Sequence, residues 1–465
     1  MFLTRCCFVL TTLILLNACQ KKPQVQRPQP LPQDPAIQVY FNHNQAQGAD
    51  YTEPYRQTQR AGDDLEDVIV EAVASAQATV DVAVQEFNLP RIAQVLAERH
   101  RAGVQVRVIL ENNYSRPWSE LSSSEVGQLD SRNRGRYSEF LALVDSNQDG
   151  QLSAQEIAQG DALVMLRNVG IPVIDDTADG SKGSGLMHHK FAIIDGATVL
   201  TGSNNWTISG THGDFSAPDS RGNANNLLKI DSSRLASLFQ EEFNVMWGDG
   251  PGGQTDSKFG VKKPLRALRT IPVGTSSVTV QFSPSSASQP WTATSNGLIG
   301  QTLQNATNSI RLALFVFSEQ KLADILETEH QQGVDIKALI DPGFAFRSYS
   351  EGLDLLGVAL SNKCQYEKAN RPWQNAIATV GVPQLPQGDK LHHKYGVVDE
   401  HIVITGSHNW SAAANNTNDE TVLVIQSPTV AAHFVREFER LYSQAVLGVP
   451  VWVQKKMEAE QQQCP

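Results

Sequence analysis

The chain has 465 residues, 40% of them hydrophobic and 19% charged, with 33 glycines and 22 prolines. Domains run to about 100–200 residues, so this length excludes a single small fold, and the composition excludes a disordered or fibrous chain. Thirty-eight Lys and Arg against 49 Asp and Glu give a formal charge of −11, which argues against a broadly basic nucleic-acid-coating surface but not against a local basic cleft, and five cysteines are too few for a disulfide-dense scaffold.

The first 19 residues, MFLTRCCFVLTTLILLNAC, place Arg5 ahead of an apolar run from Phe8 to Leu16. That run is too short to span a bilayer and reads as the apolar segment of a signal peptide. Leu16-Asn17-Ala18-Cys19 resembles the lipobox of bacterial lipoproteins, which implies removal of residues 1–18 and a lipid on Cys19. Gln20, where an Asp would signal retention, implies the outer rather than the inner membrane in a Gram-negative cell. The expected protein is therefore exported and lipid-anchored in the cell envelope. Cys364 and Cys464 then remain as thiols in an oxidising compartment, and their spacing does not decide whether they pair. Residues 19–37 are rich in Pro and Gln and predict a semi-extended tether.

From Gln38 the chain repeats itself. A strand at 78–87, a helix-like stretch and a second strand ending at Asn112 recur as a strand at 309–317, a helix-like stretch and a strand ending at Pro342. Val/Ile/Leu runs joined by one helix predict parallel strands with right-handed crossovers. Closing helices are predicted over 233–247 and 428–441, and VYFNHN at 39–44 parallels VQFSPS at 280–285. The halves span 38–258 and 276–452, with a linker at 259–275 and a polar tail at 453–465.

Inside the first half, Asp145-Ser-Asn-Gln-Asp-Gly-Gln-Leu-Ser-Ala-Gln-Glu156 has the pattern of a twelve-residue EF-hand loop. Asp145, Asn147 and Asp149 offer side-chain oxygens, Gly150 the turn, Gln151 its carbonyl, Ser153 a contact through water, and Glu156 a bidentate carboxylate. The stretch from Val104 to His188 is 84 residues and its counterpart from Val334 to His392 is 58, so the first half carries 26 extra residues, placed at about 137–165. Calcium is expected here, in a structural role.

The densest polar signature comes next, MHHKFAIIDGATVLTGSNNWT at 187–207, and it recurs as LHHKYGVVDEHIVITGSHNWS at 391–411. Each copy spaces His, Lys, Asp and Gly-Ser-x-Asn identically: His188, Lys190, Asp195, Ser203 and Asn205, then His392, Lys394, Asp399, Ser407 and Asn409. Side chains two apart on a strand share a face, so each His projects with its Lys while His189 and His393 face away. Two opposed imidazoles suit phosphodiester chemistry without a metal: one attacks phosphorus and the other protonates the leaving oxygen. Lysines, the Asn amides and the Ser hydroxyls are then expected to hold the non-bridging oxygens.

This duplicated pattern resembles the phospholipase D superfamily. The resemblance implies an α/β fold of two pseudo-symmetric sandwich halves, an active site at their interface, and a phosphohistidine intermediate. It points to His188 as nucleophile and His392 as acid and later base, with the reverse assignment open, and gives Asp195 and Asp399 supporting roles. A downstream acid typically orients a catalytic histidine. Glu420 takes that place in the second half, whereas Asn225 stands at the corresponding place in the first, suggesting another orienting group such as Glu86. The expected protein is a monomer that hydrolyses phospholipid headgroup esters, with no obligate protein partner. A surface-tethered endonuclease is the main alternative; a cardiolipin synthase-like transferase and a noncatalytic calcium-binding surface protein rank lower. Trp118, Phe344, Phe346 and Tyr349 are candidate rim aromatics.

Overall fold

The computed structural model describes residues 27–181 and 185–464, so the leader, the lipobox and Cys19 lie outside the described residues. In the first half, β1 (Ile37–Phe41) is followed by α1 (Leu65–Ala74), β2 (Thr79–Val84), α2 (Pro90–Arg101) and β3 (Gln105–Leu110). Helix α2 starts at Pro90, which needs no intrahelical donor there, buries Ile92, Ala93 and Leu96 on one face, and puts Arg99, His100 and Arg101 in its last turn, where they complement the helix dipole. Gly103, at φ +95, then reverses the chain into β3, which lies parallel to β2.

Helices α3 (Ser131–Val144) and α4 (Ala154–Gly160) flank the EF-hand-like loop, and the half closes with β4 (Val173–Asp175), β5 (Lys190–Ile194), β6 (Thr198–Gly202), β7 (Asn226–Asp231) and α5 (Ser233–Trp247). The seven strands run in the order β1-β7-β6-β5-β2-β3-β4. The sheet is mixed: only the neighbouring pairs β2–β3 and β3–β4 are parallel, because the two motif strands β5 and β6 form an antiparallel hairpin beside β2.

The second half repeats this plan with β8 (Arg269–Val273), β9 (Ser276–Ser283), β10 (Ser309–Leu314), α6 (Gln320–Gln331), β11 (Asp335–Ile340), β12 (Val380–Val382), β13 (Lys394–Val398), β14 (Ile402–Gly406), β15 (Glu420–Gln426), α7 (Pro428–Tyr442) and β16 (Val446–Leu447). Its nine strands run β8-β9-β15-β14-β13-β10-β11-β12-β16, the same order with one added strand at each edge. The closing helices α5 and α7 fill the space between the sheets. Phe239 of α5 packs edge-on against Phe191 of the first sheet and Phe282 of the second, and Phe434 of α7 likewise meets Phe41 and Tyr395. One continuous core therefore joins the halves.

Three boundaries differ from the sequence reading. Residues from Arg27 to Ala36, assigned by composition to the tether, lie on the body: Arg436 donates to the Gln29 carbonyl at 2.7 Å, and Arg27 pairs with Asp50 at 2.6 Å. The linker is structured as well, with Phe259 buried, Lys263 in a buried ion cluster with Glu242 and Asp419, and β8 on the sheet edge. The polar tail is instead the helix α8 (Val451–Gln463), which seats Val453 against Leu353 and Leu360 and ends in a Cys364–Cys464 disulfide, Cα atoms 5.3 Å apart. Among the described residues no helix is long and apolar enough to cross a membrane.

Candidate active site

Both motif lysines open their strands: Lys190 faces Val84 across the β2–β5 ladder, and Lys394 faces Leu314 across β10–β13. Each histidine sits two residues earlier, where the chain leaves its own sheet and touches the other half. The His188 amide donates to the Asp419 carbonyl at 2.9 Å and the His392 amide to the Ala224 carbonyl at 3.1 Å. The glycine of each Gly-Ser turn is required by crowding: a Cβ at Gly202 or Gly406 would lie 2.2 Å from the carbonyl oxygen of Asn226 or Thr421 on the neighbouring strand.

The imidazoles are oriented across the halves. His188 Nδ1 lies 2.7 Å from Glu420 Oε2, which also accepts from the Ser407 hydroxyl at 2.6 Å. His392 Nδ1 lies 2.9 Å from Asn225 Oδ1, which accepts from Ser203 at 2.7 Å. Because the carboxylate and the amide oxygen are the acceptors, each Nδ1 carries the hydrogen and each Nε2 keeps its lone pair. Glu86, suggested above as an orienting group, does not reach a histidine; it pairs with Arg136 of α3, whose guanidinium also covers the Tyr114 ring. Ser203 and Ser407 differ from expectation too: with their hydroxyls given to Asn225 and Glu420 and their amides to Asn226 and Thr421 carbonyls, they position the orienting groups rather than face the anion.

Four buried basic groups converge around the one carboxylate in contact with them among the described residues, Glu420. Burial, then the Lys190 and Lys394 ammonium groups, hold His188 far below the usual imidazole range, and burial with the same two lysines does so for His392. Burial lowers Lys190 to about 7, and burial with the Lys190 charge lowers Lys394 well below the lysine range. Lys190 donates to the His188 carbonyl at 2.9 Å and Gln85 Oε1 at 3.3 Å, and Lys394 donates to the His392 carbonyl at 2.6 Å while lying over the Phe315 ring. An anion entering here would restore these protons, which is the electrostatic signature of a phosphate site.

The remaining candidates separate. Asn205 reaches Gln85 at 3.4 Å and stands beside Lys190; Asn409 occupies the equivalent turn. Asp195 and Asp399 lie beyond the opposite ends of β5 and β13, about 16 Å from the lysines at 3.3 Å per residue. There, each at positive φ, they accept three backbone amides apiece, from Gln77, Ala78 and Thr79 and from Thr307, Asn308 and Ser309, so they pin a turn and touch no substrate. Gln85 and Phe315, equivalent residues just after β2 and β10, were missed in the sequence; strand parity separates Gln85 from the more conspicuous Glu86. Phe315 packs edge-on against both His392 and Phe344, making one wall apolar. Trp118 instead packs on Tyr137 in the insertion.

In the EF-hand-like loop, Asp145 accepts from the Asp149 and Gly150 amides, Asn147 from Asp149, and Asp149 from Gln151. Glu156 closes the loop through Ser153, Ser146 and Asn147, bonds that hold its carboxyl down at about 2. Among the described residues no three His, Cys, Asp or Glu side chains converge as a metal cluster.

A family model described as "Cardiolipin synthase, PLD-like domain" matches residues 69–247 and 299–442, more than half of the chain. The mitochondrial cardiolipin hydrolase of Xenopus tropicalis is 29% identical over 172 residues, covering 37% of this chain and 56% of that protein. A phospholipase D of Rickettsia typhi is 27% identical over 149 residues, 32% of this chain and 63% of that one. The chain thus spans about half the length of the curated relatives it matches. Phosphatidylserine synthase from Haemophilus influenzae has the same fold, with a TM-score of 0.52, 13% identity, and coverage of 94% of this chain and 96% of that one.

Proposed function

As the chain belongs to the phospholipase D superfamily, within the cardiolipin synthase PLD-like domain family, we propose that it hydrolyses phospholipid headgroup esters through a phosphohistidine on His188. The observation that carries the assignment is the unequal support of the two imidazoles: Glu420, a buried carboxylate, under His188 and Asn225, a neutral amide, under His392. When His188 Nε2 forms its bond to phosphorus, the ring gains positive charge, which a carboxylate at Nδ1 stabilises and an amide does not. As the bond from phosphorus to the headgroup oxygen breaks, His392 gives that oxygen a proton from Nε2. It then takes a proton from water as the water oxygen attacks phosphorus and the bond to His188 breaks, releasing phosphatidate. The phosphate charge itself supplies what His392 needs to be protonated in the complex. Lys190, Lys394, Asn205 and Asn409 hold the non-bridging oxygens.

The names of the cardiolipin hydrolase and phospholipase D relatives, and the Phe315–Phe344 wall beside His392, support a lipid over a nucleic acid. We also propose that the mature chain is lipidated at Cys19 and held at the outer membrane, acts as a monomer, and holds calcium between Asp145 and Glu156 as a brace for α3. The test compares the body with its His188→Ala and His392→Ala variants on mixed phospholipid vesicles and on single- and double-stranded DNA. Histidine-dependent headgroup release without strand cleavage is expected; cleavage of DNA without lipid turnover would make the protein a nuclease.

A further inference from the structure

The second sheet exposes an apolar surface beside the loop that follows β11. Strands β10, β11 and β12 are parallel, and their carboxyl ends carry Phe315 beside His392, the loop after β11, and Val382. Strand β16 pairs antiparallel with β12, setting Val446 opposite Val382, and leads into α8. There Val451 is 64% and Trp452 56% exposed, Val446 and Leu447 are both over 40% exposed, and Tyr349 of the loop after β11 is 39% exposed. Trp452 packs edge-on against Phe346, at 5.6 Å, two residues beyond the Phe344 that touches Phe315. Ring contacts thus link His392 to Phe315 and Phe344, and Phe346, two residues on, to a solvent-facing tryptophan.

The charge on this surface opposes that of the whole protein. Residues 343–350 and 446–456, which form it, contain Arg347, Lys455 and Lys456 and no carboxylate, in a chain of net charge −11; Glu460 pairs with Lys456 at 3.7 Å, so Arg347 and Lys455 carry the basic character of the surface. Exposed Trp, Tyr and Val flanked by Lys and Arg is the composition of a surface that lies in the headgroup layer of a membrane.

We infer that the surface formed by Phe346, Tyr349, Val446, Leu447, Val451 and Trp452 docks on an anionic phospholipid bilayer and delivers lipid past Phe344 and Phe315 to His392. The inference rests on the lipid reading above. Lipid leaves the membrane along an apolar path, so its chains stay covered while its phosphate reaches the lysines. Docking by this surface is separate from any anchor at Cys19, since it turns the active site toward the membrane rather than only holding the protein near it.

The test uses the body from Arg27 on, whose described hydrophobic core begins at Ile37. Flotation with phosphatidylglycerol/phosphatidylcholine vesicles is measured in a His188→Ala background, so that binding is read without turnover, with and without the exposed changes Val451→Ser and Trp452→Ser. The expected result is at least tenfold weaker vesicle binding, and in active protein a lipid turnover that falls at least tenfold more than turnover of soluble bis(p-nitrophenyl) phosphate. Unchanged vesicle binding overturns the inference. Patch-dependent vesicle binding without lipid hydrolysis keeps the docking surface and rejects the hydrolase reading. A patch-dependent loss of affinity for single-stranded DNA, with no vesicle binding, assigns the surface to nucleic acid and overturns it.

Discussion

Glu420 Oε2, on the second sheet, receives the Nδ1 hydrogen of His188, in the first half, at 2.7 Å. Glu420→Gln keeps an acceptor and removes the charge, so turnover is expected to fall about 100-fold or more, as loss of an orienting carboxylate does elsewhere. Asn225→Ala should cost less. A p-nitrophenyl ester, whose leaving group needs no acid, should label His188 in the His392→Ala protein, read by mass spectrometry after rapid quenching. Label on His392 in the His188→Ala protein would reverse the roles.

The lysines set the alkaline limb of the pH profile. Burial lowers Lys190 to about 7, so in the free enzyme it is charged below that pH and neutral above. Anion capture therefore weakens as pH rises, and kcat/KM, which reports free-enzyme groups, should fall above about pH 7. His188 titrates well below 6.5 and imposes no limb near neutrality. Lys190→Met should lower kcat/KM at every pH and flatten the fall; an unchanged alkaline limb would assign it elsewhere.

His408 lies inside the second Gly-Ser-x-Asn turn with neither ring nitrogen finding a hydrogen-bond partner among the described residues, and burial lowers it to about 4. The unfolded chain binds its proton below about 6.5 and the folded one does not until about 4, so its contribution is present above 6.5 and lost as pH falls toward 4. Asn204 holds the same position in the first half and bonds to Thr211 at 3.2 Å. His408→Asn should lose less stability between pH 7.5 and 5, measured as urea midpoints. His43, lowered to about 3 by burial, will keep part of the acid sensitivity in the variant.

The Cys364–Cys464 bond ties the end of α8 to the loop before Tyr366. Apart from that bond, α8 is seated through Val453, through Trp452 on Phe346 and, more loosely, through Met457, with a bond from Ser361 to Glu460. Reduction should free this helix ahead of the core. Limited proteolysis should cut beyond residue 450 only in reducing buffer, leaving the sheets intact.

Calcium should raise the thermal midpoint of the body, and Glu156→Gln should abolish that rise. Helix α3 meets the active site through Arg136 and Glu86, next to Gln85, while Glu139 holds the Phe215 and Ser216 amides. Arg136→Ala should therefore lower turnover several-fold yet keep the calcium-dependent shift; loss of both would mean that the variant misfolds.

The repeated strand–helix–strand order and the paired His-x-Lys segments were legible because strand parity and helical spacing are local properties. Partnerships across the halves were not. Glu420 is closest in sequence to the second motif yet serves His188, since the spacing of residues along one half does not say which face meets the other. Ser407 read as an anion donor because its hydroxyl was counted before the carboxylate that claims it. Helix α8 was read as a polar tail because its inner face is marked by little more than Val453 and Met457, one turn apart.

The docked segment from Arg27 to Ala36 limits how a lipidated chain would work. With Gln29 and Pro32 held by Arg436 and His433, the described chain is fixed to the body from Arg27 on, eight residue steps after Cys19. Eight residue steps extend at most about 30 Å, roughly the breadth of a small domain. A protein moored this closely grazes the leaflet that holds it and cannot sample a facing membrane, so its substrate supply would be set by lateral diffusion of neighbouring lipids.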